Sequence, residues 1–460
     1  MSLIKSISGI RGTIGGKVDE NLTPLDVVKF TSAFGTWLQN NKNKKDLTLV
    51  VGRDARISGA MVNSLVTATL QGLGINVVDL GLSTTPTVEV MVPELNADGG
   101  IILTASHNPK QWNALKLLNE KGEFINGENG AEVLALAESE DFNYAEVDDL
   151  GNYETRDDAF DIHIKKILDL PMVDAEIIRL KKFKIVVDAV NSTGGIAIPQ
   201  LLEDLGCEVV KLYCEPNGQF PHNPEPLKEH LGDICELVKK ENADLGIVVD
   251  PDVDRLALVD ENGELFGEEY TLVAVADYLL KNKKGAAISN LSSSRALRDV
   301  ARNLDSEYFA SAVGEVNVVT LMKEKNAVIG GEGNGGIIYP DLHYGRDSLV
   351  GVALFLTHLA KENKSVSELR ATYPSYFMGK KKIELTPDID VDALLTKMEK
   401  EYQNVEISTV DGVKIDFEKN WVHLRKSNTE PIIRIYTEAF SQEEADQLGD
   451  QMIEKIKSLV

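Results

Sequence analysis

The stretch Leu47-Thr-Leu-Val-Val-Gly-Arg-Asp-Ala-Arg-Ile-Ser-Gly59 opens on an apolar run and passes into a polar turn. A helical pattern over Ala60–Gly72 follows, then a second short apolar run at Ile75–Asp79. Apolar runs alternating with helical patterns predict a βαβ unit on a largely parallel sheet. The same grammar returns twice. Lys184–Asp188 leads into Ala-Val-Asn-Ser-Thr-Gly-Gly, a helix through Leu205 and a strand over Cys207–Leu212. Ala286–Asn290 leads into Leu-Ser-Ser-Ser-Arg, a helix near Ala296–Asn303 and a strand at Tyr308–Ala310. Such repetition predicts a duplicated mixed α/β domain reaching to about Leu369. After Pro374 the segments KKKIELTP, VEISTVDGVKIDF, WVHLRKS and PIIRIYTEA read as short strands, with helices at Val391–Tyr402 and Gln442–Leu459. That is a separate α+β domain. Boundaries near Glu154, Asp254 and Leu369 give four segments, 1–153, 154–254, 255–369 and 370–460.

The 460 residues, 43% apolar and 26% charged, have the composition of a soluble globular protein rather than a disordered or membrane-embedded one. Forty-eight basic against seventy-three acidic side chains leave a net charge of −25. That field repels nucleic acid and anionic lipid, so neither is an expected partner. A phosphorylated substrate then needs a local basic site, screened from the global field within about 10 Å. Cys207, Cys214 and Cys235 make no even disulfide set and no C-x-x-C pair, as for reduced thiols. The start, MSLIKSISGIRGT, lacks the apolar core of a signal peptide, and no run has the length of a membrane helix. The expectation is a cytoplasmic protein.

Four segments could carry chemistry. Thr104-Ala-Ser-His-Asn-Pro109 follows the strand-like GGIILTA, and Pro109 bars a helix. A serine on a loop at a strand end suits a nucleophile. On extended backbone, Ser106 and neighbouring His107 would point to opposite sides and not pair. The spacing G-x-S-x-G is absent, against a serine hydrolase. Asp250-Pro-Asp-Val-Asp-Arg255 puts carboxylates at i, i+2 and i+4, on one face of an extended segment. Two such charges about 4 Å apart repel by about 4 kcal/mol at an effective dielectric near 20, a cost that a divalent cation relieves. Hard oxygen donors favour magnesium, manganese or calcium. An EF-hand is excluded because Arg255 holds the position that needs glycine. Gly330-Gly-Glu-Gly-Asn-Gly-Gly336 offers a close backbone approach with Glu332 and Asn334 as hydrogen-bonding groups suited to sugar hydroxyls, and lacks the G-K-[ST] ending of a P-loop. Arg425-Lys-Ser-Asn-Thr-Glu-Pro431, with Arg434 beyond, gathers cations and donors fitted to phosphate. Gly9-Ile-Arg-Gly-Thr13 and Gly52-Arg-Asp-Ala-Arg56 add glycine-flanked arginines that are unspecific singly.

In this order the segments TASHNP, DPDVDR, GEGNGG and RKSNTEP resemble the α-D-phosphohexomutase family over essentially the whole chain. The resemblance implies three related mixed α/β domains and a C-terminal α+β domain around a central active-site cleft. The four segments above would then carry, in turn, the phosphoserine, metal-binding, sugar-binding and phosphate-binding loops. It implies that Ser106 is the phosphoserine and that its phosphate joins Asp250, Asp252 and Asp254 on one Mg2+. It assigns Arg11 to charge stabilisation, and His107 and Lys116 to proton transfer or active-site electrostatics. Arg255, Glu332, Asn334 and His343 become candidates for substrate contact, and Arg425, Ser427, Asn428, Thr429 and Arg434 for the non-reacting phosphate. A sugar bisphosphate is the implied intermediate and activator, and a small phosphosugar the implied partner of a monomer or homodimer.

Many bacterial relatives carry G-E-x-S-G-H in the sugar loop. Here Asn334 and Gly336 replace serine and histidine, as in the archaeal-type branch with its phosphoglucosamine and glucose/mannose mutases, while His343, Arg346 and Asp347 follow shortly. The reading is a phosphohexomutase, with glucosamine phosphate favoured over mannose or glucose phosphate. A phosphatase using Asp250 as an aspartyl-phosphate, and a sensor that never carries phosphate on Ser106, are the alternatives from other classes.

Overall fold

Each repeated apolar run becomes a strand, and each is embraced by neighbours in the same spatial order. The computed structural model describes residues 2–6, 9–42, 44–384, 390–426 and 432–459. The chain divides into two compact units, Met1–Thr271 with Asn334–Leu369, and Leu272–Gly333 with Arg370–Val460.

In the first unit a seven-stranded sheet runs Ile4–Ser6, Gly9–Thr13, Trp112–Leu118, Gly99–Leu103, Thr48–Arg53, Asn76–Leu82, Tyr153–Thr155. Thr48–Arg53 pairs parallel with Gly99–Leu103 on one side and Asn76–Leu82 on the other, whereas Trp112–Leu118 is antiparallel to Gly99–Leu103. The second sheet repeats this. Lys184–Asp188 lies parallel between Leu245–Val249 and Glu208–Leu212, and Leu256–Val259 closes the edge antiparallel. In the second unit Ala287–Asn290 lies parallel between Ile329–Glu332 and Tyr308–Ser311. The strand expected over Ile75–Asp79 runs later, over Asn76–Leu82, because Gly74 (φ +77°) still turns the chain out of the preceding helix.

Both faces of the first sheet are covered. Helix Pro24–Asn41, with Thr23 and Asp26 forming a capping box and Pro24 in the first turn, packs with helices Gly59–Gly72 and Gly127–Ser139 over Phe30, Phe34, Leu49, Val51 and Ile101. Helix Thr85–Glu94 covers the other face over Val50, Met91 and Ile102. In the second unit an antiparallel sheet, in the order Phe377–Glu384, Ile432–Ala439, Trp421–Lys426, Val413–Asp416, Glu406–Ser408, buries Ile415, Leu424 and Ile435 against helices Val391–Glu401 and Gln442–Leu459. Among the described residues no helix is long and apolar enough to cross a membrane.

The repeated order has a consequence for function. The central strand of each repeat sends its crossovers in opposite directions, so each sheet has a switch point at its carboxyl edge, where open α/β sheets bind ligands. In the first two sheets the loop leaving the strand beside that point is Thr104–Gln111 and Asp250–Arg255 respectively; in the third, Glu332 ends that strand.

Candidate active site

The serine loop is gathered on one buried cation. Arg56 is 1% exposed. Its Nη1 donates to the carbonyls of Pro109 (2.7 Å) and Trp112 (3.1 Å), and Nη2 to those of Asn108 (2.6 Å) and Ser106. Its Nε donates to Asp54 Oδ2 at 2.9 Å, which also accepts Thr104 Oγ1 at 2.7 Å, and Thr104 Oγ1 accepts the Ser106 amide at 2.9 Å. Closing four carbonyls on one guanidinium requires a tight turn, and Ser106 takes a left-handed conformation with φ +48°. Such backbone costs of order 1–3 kcal/mol and persists where the surroundings over-determine it. The expectation of extended backbone, with Ser106 and His107 on opposite sides, is therefore corrected. Ser106 Oγ lies 3.3 Å from His107 Nδ1 and donates to Asp250 Oδ2 at 2.7 Å.

The acidic segment converges by a turn, not by the alternation of a strand. Asp250 Oδ1 accepts the amides of Asp254 and Arg255, each at 3.1 Å, and Val253 just before them is left-handed at φ +65°. Ser192 and Thr193 hydroxyls hold the Pro251 carbonyl at 2.7 and 3.0 Å. One oxygen from each of Asp250, Asp252 and Asp254 lies within 4.8 Å of the other two, and all three residues are fully buried. Asp252 Oδ1 and Asp254 Oδ1 are buried with no hydrogen-bond partner. Buried charge without a partner is costly, and a hard divalent cation supplies what these oxygens lack. The donor set fits such an ion. Burial first, then Asp254 and Asp252, hold the Asp250 carboxyl well above the usual range.

Cations surround the trio. Lys116 Nζ donates to Asp252 Oδ2 at 2.7 Å and lies 3.6 Å from Asp254 Oδ2, while Arg346 Nη2 reaches Asp254 Oδ2 at 2.6 Å. Burial works to lower the Lys116 ammonium, but Asp252 and Asp254 outweigh it and hold it above its ordinary value. Asp252 is held correspondingly low: its own burial acts to raise it and Lys116 prevails. Thr85 clasps the same carboxylate through Oγ1 at 2.6 Å. Arg255 Nη1 pairs with Glu225 Oε1 at 2.8 Å, and its Nη2 lies 3.4 Å from His107 Nε2. Burial, then Arg255, push the His107 imidazole well down. Arg11 Nη1 donates to Asn108 Oδ1 at 3.1 Å.

The remaining candidates fall elsewhere. In the first unit Asn334 Oδ1 accepts the Gly336 amide at 3.2 Å, and Gly335 (φ +80°) lies so close to the Leu256 carbonyl that a Cβ would stand 2.0 Å from its oxygen. His343 stands in a second cluster, between Glu89 and Asp347. In the second unit Glu332 Oε1 accepts Asn290 Nδ2 at 2.9 Å and the Gly314 amide at 3.1 Å. Arg425 pairs through Nε with Asp411 at 2.8 Å and lies directly opposite Arg434 across two antiparallel strands. Ser427, Asn428 and Thr429 lie outside the described residues.

Sequence reasoning undervalued Arg56, Arg346, Thr85 and Glu225. Arg56 and Arg346 stand in polar turns whose surroundings only the fold supplies. Thr85 reads as a helix start, and Glu225 carries no local signal.

Residues 3–144, 161–263, 267–376 and 382–455 match, in order, alpha/beta/alpha domains I, II and III and the C-terminal domain of phosphoglucomutase/phosphomannomutase. The chain is 38% identical over 453 residues to a phosphoglucomutase/phosphomannomutase of Thermococcus kodakarensis, covering 96% of this chain and 98% of that protein. It is 33% identical over 459 residues to a phosphoglucosamine/phosphogalactosamine mutase of Sulfurisphaera tokodaii, covering 98% of each. The crystal structure of a phosphoglucomutase/phosphomannomutase family protein from Burkholderia thailandensis superposes with a TM-score of 0.85 at 26% identity, covering 99% of this chain and 98% of that one. With all four domains present in order and relatives matched end to end, the chain belongs to the phosphoglucomutase/phosphomannomutase family, the α-D-phosphohexomutases, and is a phosphomutase.

Proposed function

We propose that this enzyme interconverts the 6- and 1-phosphates of glucosamine by passing a phosphoryl group between Ser106 and the sugar. The observation that carries the reading is the Ser106 hydroxyl held 2.7 Å from a carboxylate of a buried aspartate trio, itself flanked by Lys116 and Arg346. Phosphoryl transfer needs positioning and charge neutralisation more than covalent assistance. Asp250, Asp252, Asp254 and the Ser106 phosphate would hold Mg2+, which when bound neutralises charge on phosphoryl oxygens.

In the first half-reaction a sugar hydroxyl attacks the phosphorus on Ser106. The P–Oγ bond breaks, the hydroxyl proton leaves to a base, and Ser106 recovers a proton. A sugar bisphosphate results. In the second half-reaction Ser106 takes the phosphoryl group from the other end. His107 Nδ1, 3.3 Å from Oγ, is within reach of the proton at that atom. Lys116, paired with Asp252 and 3.6 Å from Asp254, is the second group beside the trio suited to proton transfer or to charge stabilisation. Arg11 adds charge beside the loop. Arg255, Glu332 and Asn334 are assigned to the sugar, and Arg425, Ser427, Asn428, Thr429 and Arg434 to the distal phosphate; His343, drawn between Glu89 and Asp347, is left out of that set. Two arginines directly opposite across a strand pair repel, which an anion between them relieves.

A second reading, glucose or mannose phosphate as substrate, is favoured by the Thermococcus relative at 38% identity. Coupled assays on glucosamine, glucose and mannose phosphates decide between them. Highest kcat/KM on glucosamine phosphate supports the first, and turnover of mannose or glucose phosphate without glucosamine activity overturns it.

A further inference from the structure

Away from the aspartate trio, helix Thr85–Glu94, helix Ala159–Leu168 and the loop leading into helix Ser348–Glu362 bring together Glu89, His163, His343 and Asp347. All four are enclosed; His163 and Asp347 are wholly buried, and Glu89 is 1% exposed. His163 Nε2 lies 3.0 Å and His343 Nε2 3.3 Å from the same atom, Asp347 Oδ2. One ligand atom from each of these three lies within 4.8 Å of the others. Around a tetrahedral zinc with bonds of about 2.0–2.2 Å, ligand atoms stand about 3.3–3.5 Å apart.

The far sides of His163 and Asp347 are also held. His163 Nδ1 meets Thr87 Oγ1 at 3.0 Å, which in turn meets Thr84 Oγ1 at 2.6 Å. His343 Nδ1 lies 3.4 Å from Glu89 Oε2. Asp347 Oδ1 accepts the amides of Leu349 and Val350 at 2.8 and 3.2 Å, capping its helix. Metal-binding imidazoles show this arrangement, one nitrogen toward the ion and the other fixed by an outer partner. Gly345 lets the loop close on the cluster, since a Cβ there would stand 1.9 Å from Glu89 Oε2.

The hydrogen bonds within the cluster leave one buried imidazole nitrogen over. A neutral imidazole has one N–H. His343 Nε2 meets Asp347 Oδ2, while its Nδ1 is buried with no hydrogen-bond partner.

We propose that His163, His343 and Asp347 form a second divalent-metal site, of zinc-type chemistry, that ties helix Ala159–Leu168 to the loop and N-cap that open helix Ser348–Glu362. Two imidazoles and one carboxylate favour a transition ion over magnesium, and a fourth position is left for water.

The test uses the full chain with the trio disabled by Asp252→Asn and Asp254→Asn, stripped with a chelator and titrated with Co2+ and Zn2+. One equivalent bound, intense tetrahedral Co2+ absorption and two imidazole scatterers by X-ray absorption are expected, with a thermal midpoint raised by several degrees. His343→Gln and, separately, His163→Gln should each remove that equivalent. No ion bound, oxygen-only scattering, or binding that survives both substitutions overturns the proposal. If the trio variant does not fold, the same titration on wild type in excess Mg2+ decides it by the same signatures. Failure here leaves phosphoryl transfer at Ser106 untouched.

Discussion

Arg56 shows how much one side chain can decide. Its guanidinium is the common donor to four carbonyls of the serine loop and the partner of buried Asp54. Burial, opposed by Arg56, already raises the Asp54 carboxyl. Removing one member of a buried pair costs about 3–5 kcal/mol, because the other charge is left uncompensated. Arg56→Met should therefore lower the urea midpoint and, by releasing the left-handed turn at Ser106, reduce kcat in the protein that still folds. Unchanged kcat in folded protein would refute the positioning role. Arg434 makes the opposite case, exposed at a strand end opposite Arg425. Losing a charge-assisted hydrogen bond costs about 1.5–3 kcal/mol, so Arg434→Ala should raise KM about 10–150-fold and leave kcat within a few-fold. Steady-state kinetics checks this, and a fall in kcat at constant KM would assign Arg434 to the chemical step instead.

At the scale of elements, the repeated strand order explains why unrelated motifs could be read as one machine. Short apolar runs mark strands and longer periodic patterns mark helices, so the strand Lys184–Asp188 and the helices Ala296–Asn303 and Gln442–Leu459 match the structure closely. What stayed hidden is what depends on neighbours far along the chain. The left-handed turns at Ser106 and Val253 are imposed by Arg56 and by the Asp250 carboxylate, and no local pattern signals a β-branched residue there. The same holds for Lys414 in strand Val413–Asp416. Burial pushes its ammonium down to about 8, while Nζ donates to the Leu291 carbonyl at 2.7 Å over the Trp421 ring. The unfolded value is about 10.4, so between about 8 and 10.4 the unfolded chain binds more protons and this residue makes stability rise with pH. Below about 8 both states are charged and the slope vanishes. The difference in urea midpoint between wild type and Lys414→Met should change across pH 8–10 and be flat from 6 to 7.5; a flat difference throughout would contradict the burial argument.

Over the whole molecule, the net charge of −25 sets the problem that the site solves. A phosphosugar must be drawn to an acidic protein, and the cations beside the trio, Lys116 and Arg346, are partly spent on Asp252 and Asp254. A divalent ion bound there would free them for phosphate. Chelation should then abolish turnover and added Mg2+ restore it, with Asp254→Asn raising the Mg2+ concentration needed; turnover indifferent to chelator would defeat the metal's role. The family was legible in sequence because its motifs are contiguous, whereas the sugar was not, because the groups that would read it are dispersed over loops. The central claim is that Ser106 carries the phosphoryl group, and peptide mass spectrometry after incubation with a hexose bisphosphate tests it most directly. One added phosphoryl mass on the Ser106 peptide, discharged by hexose monophosphate and absent in an inactive Ser106→Ala, is the predicted result. An unmodified Ser106 peptide in fully active enzyme, or full activity in Ser106→Ala, would contradict it.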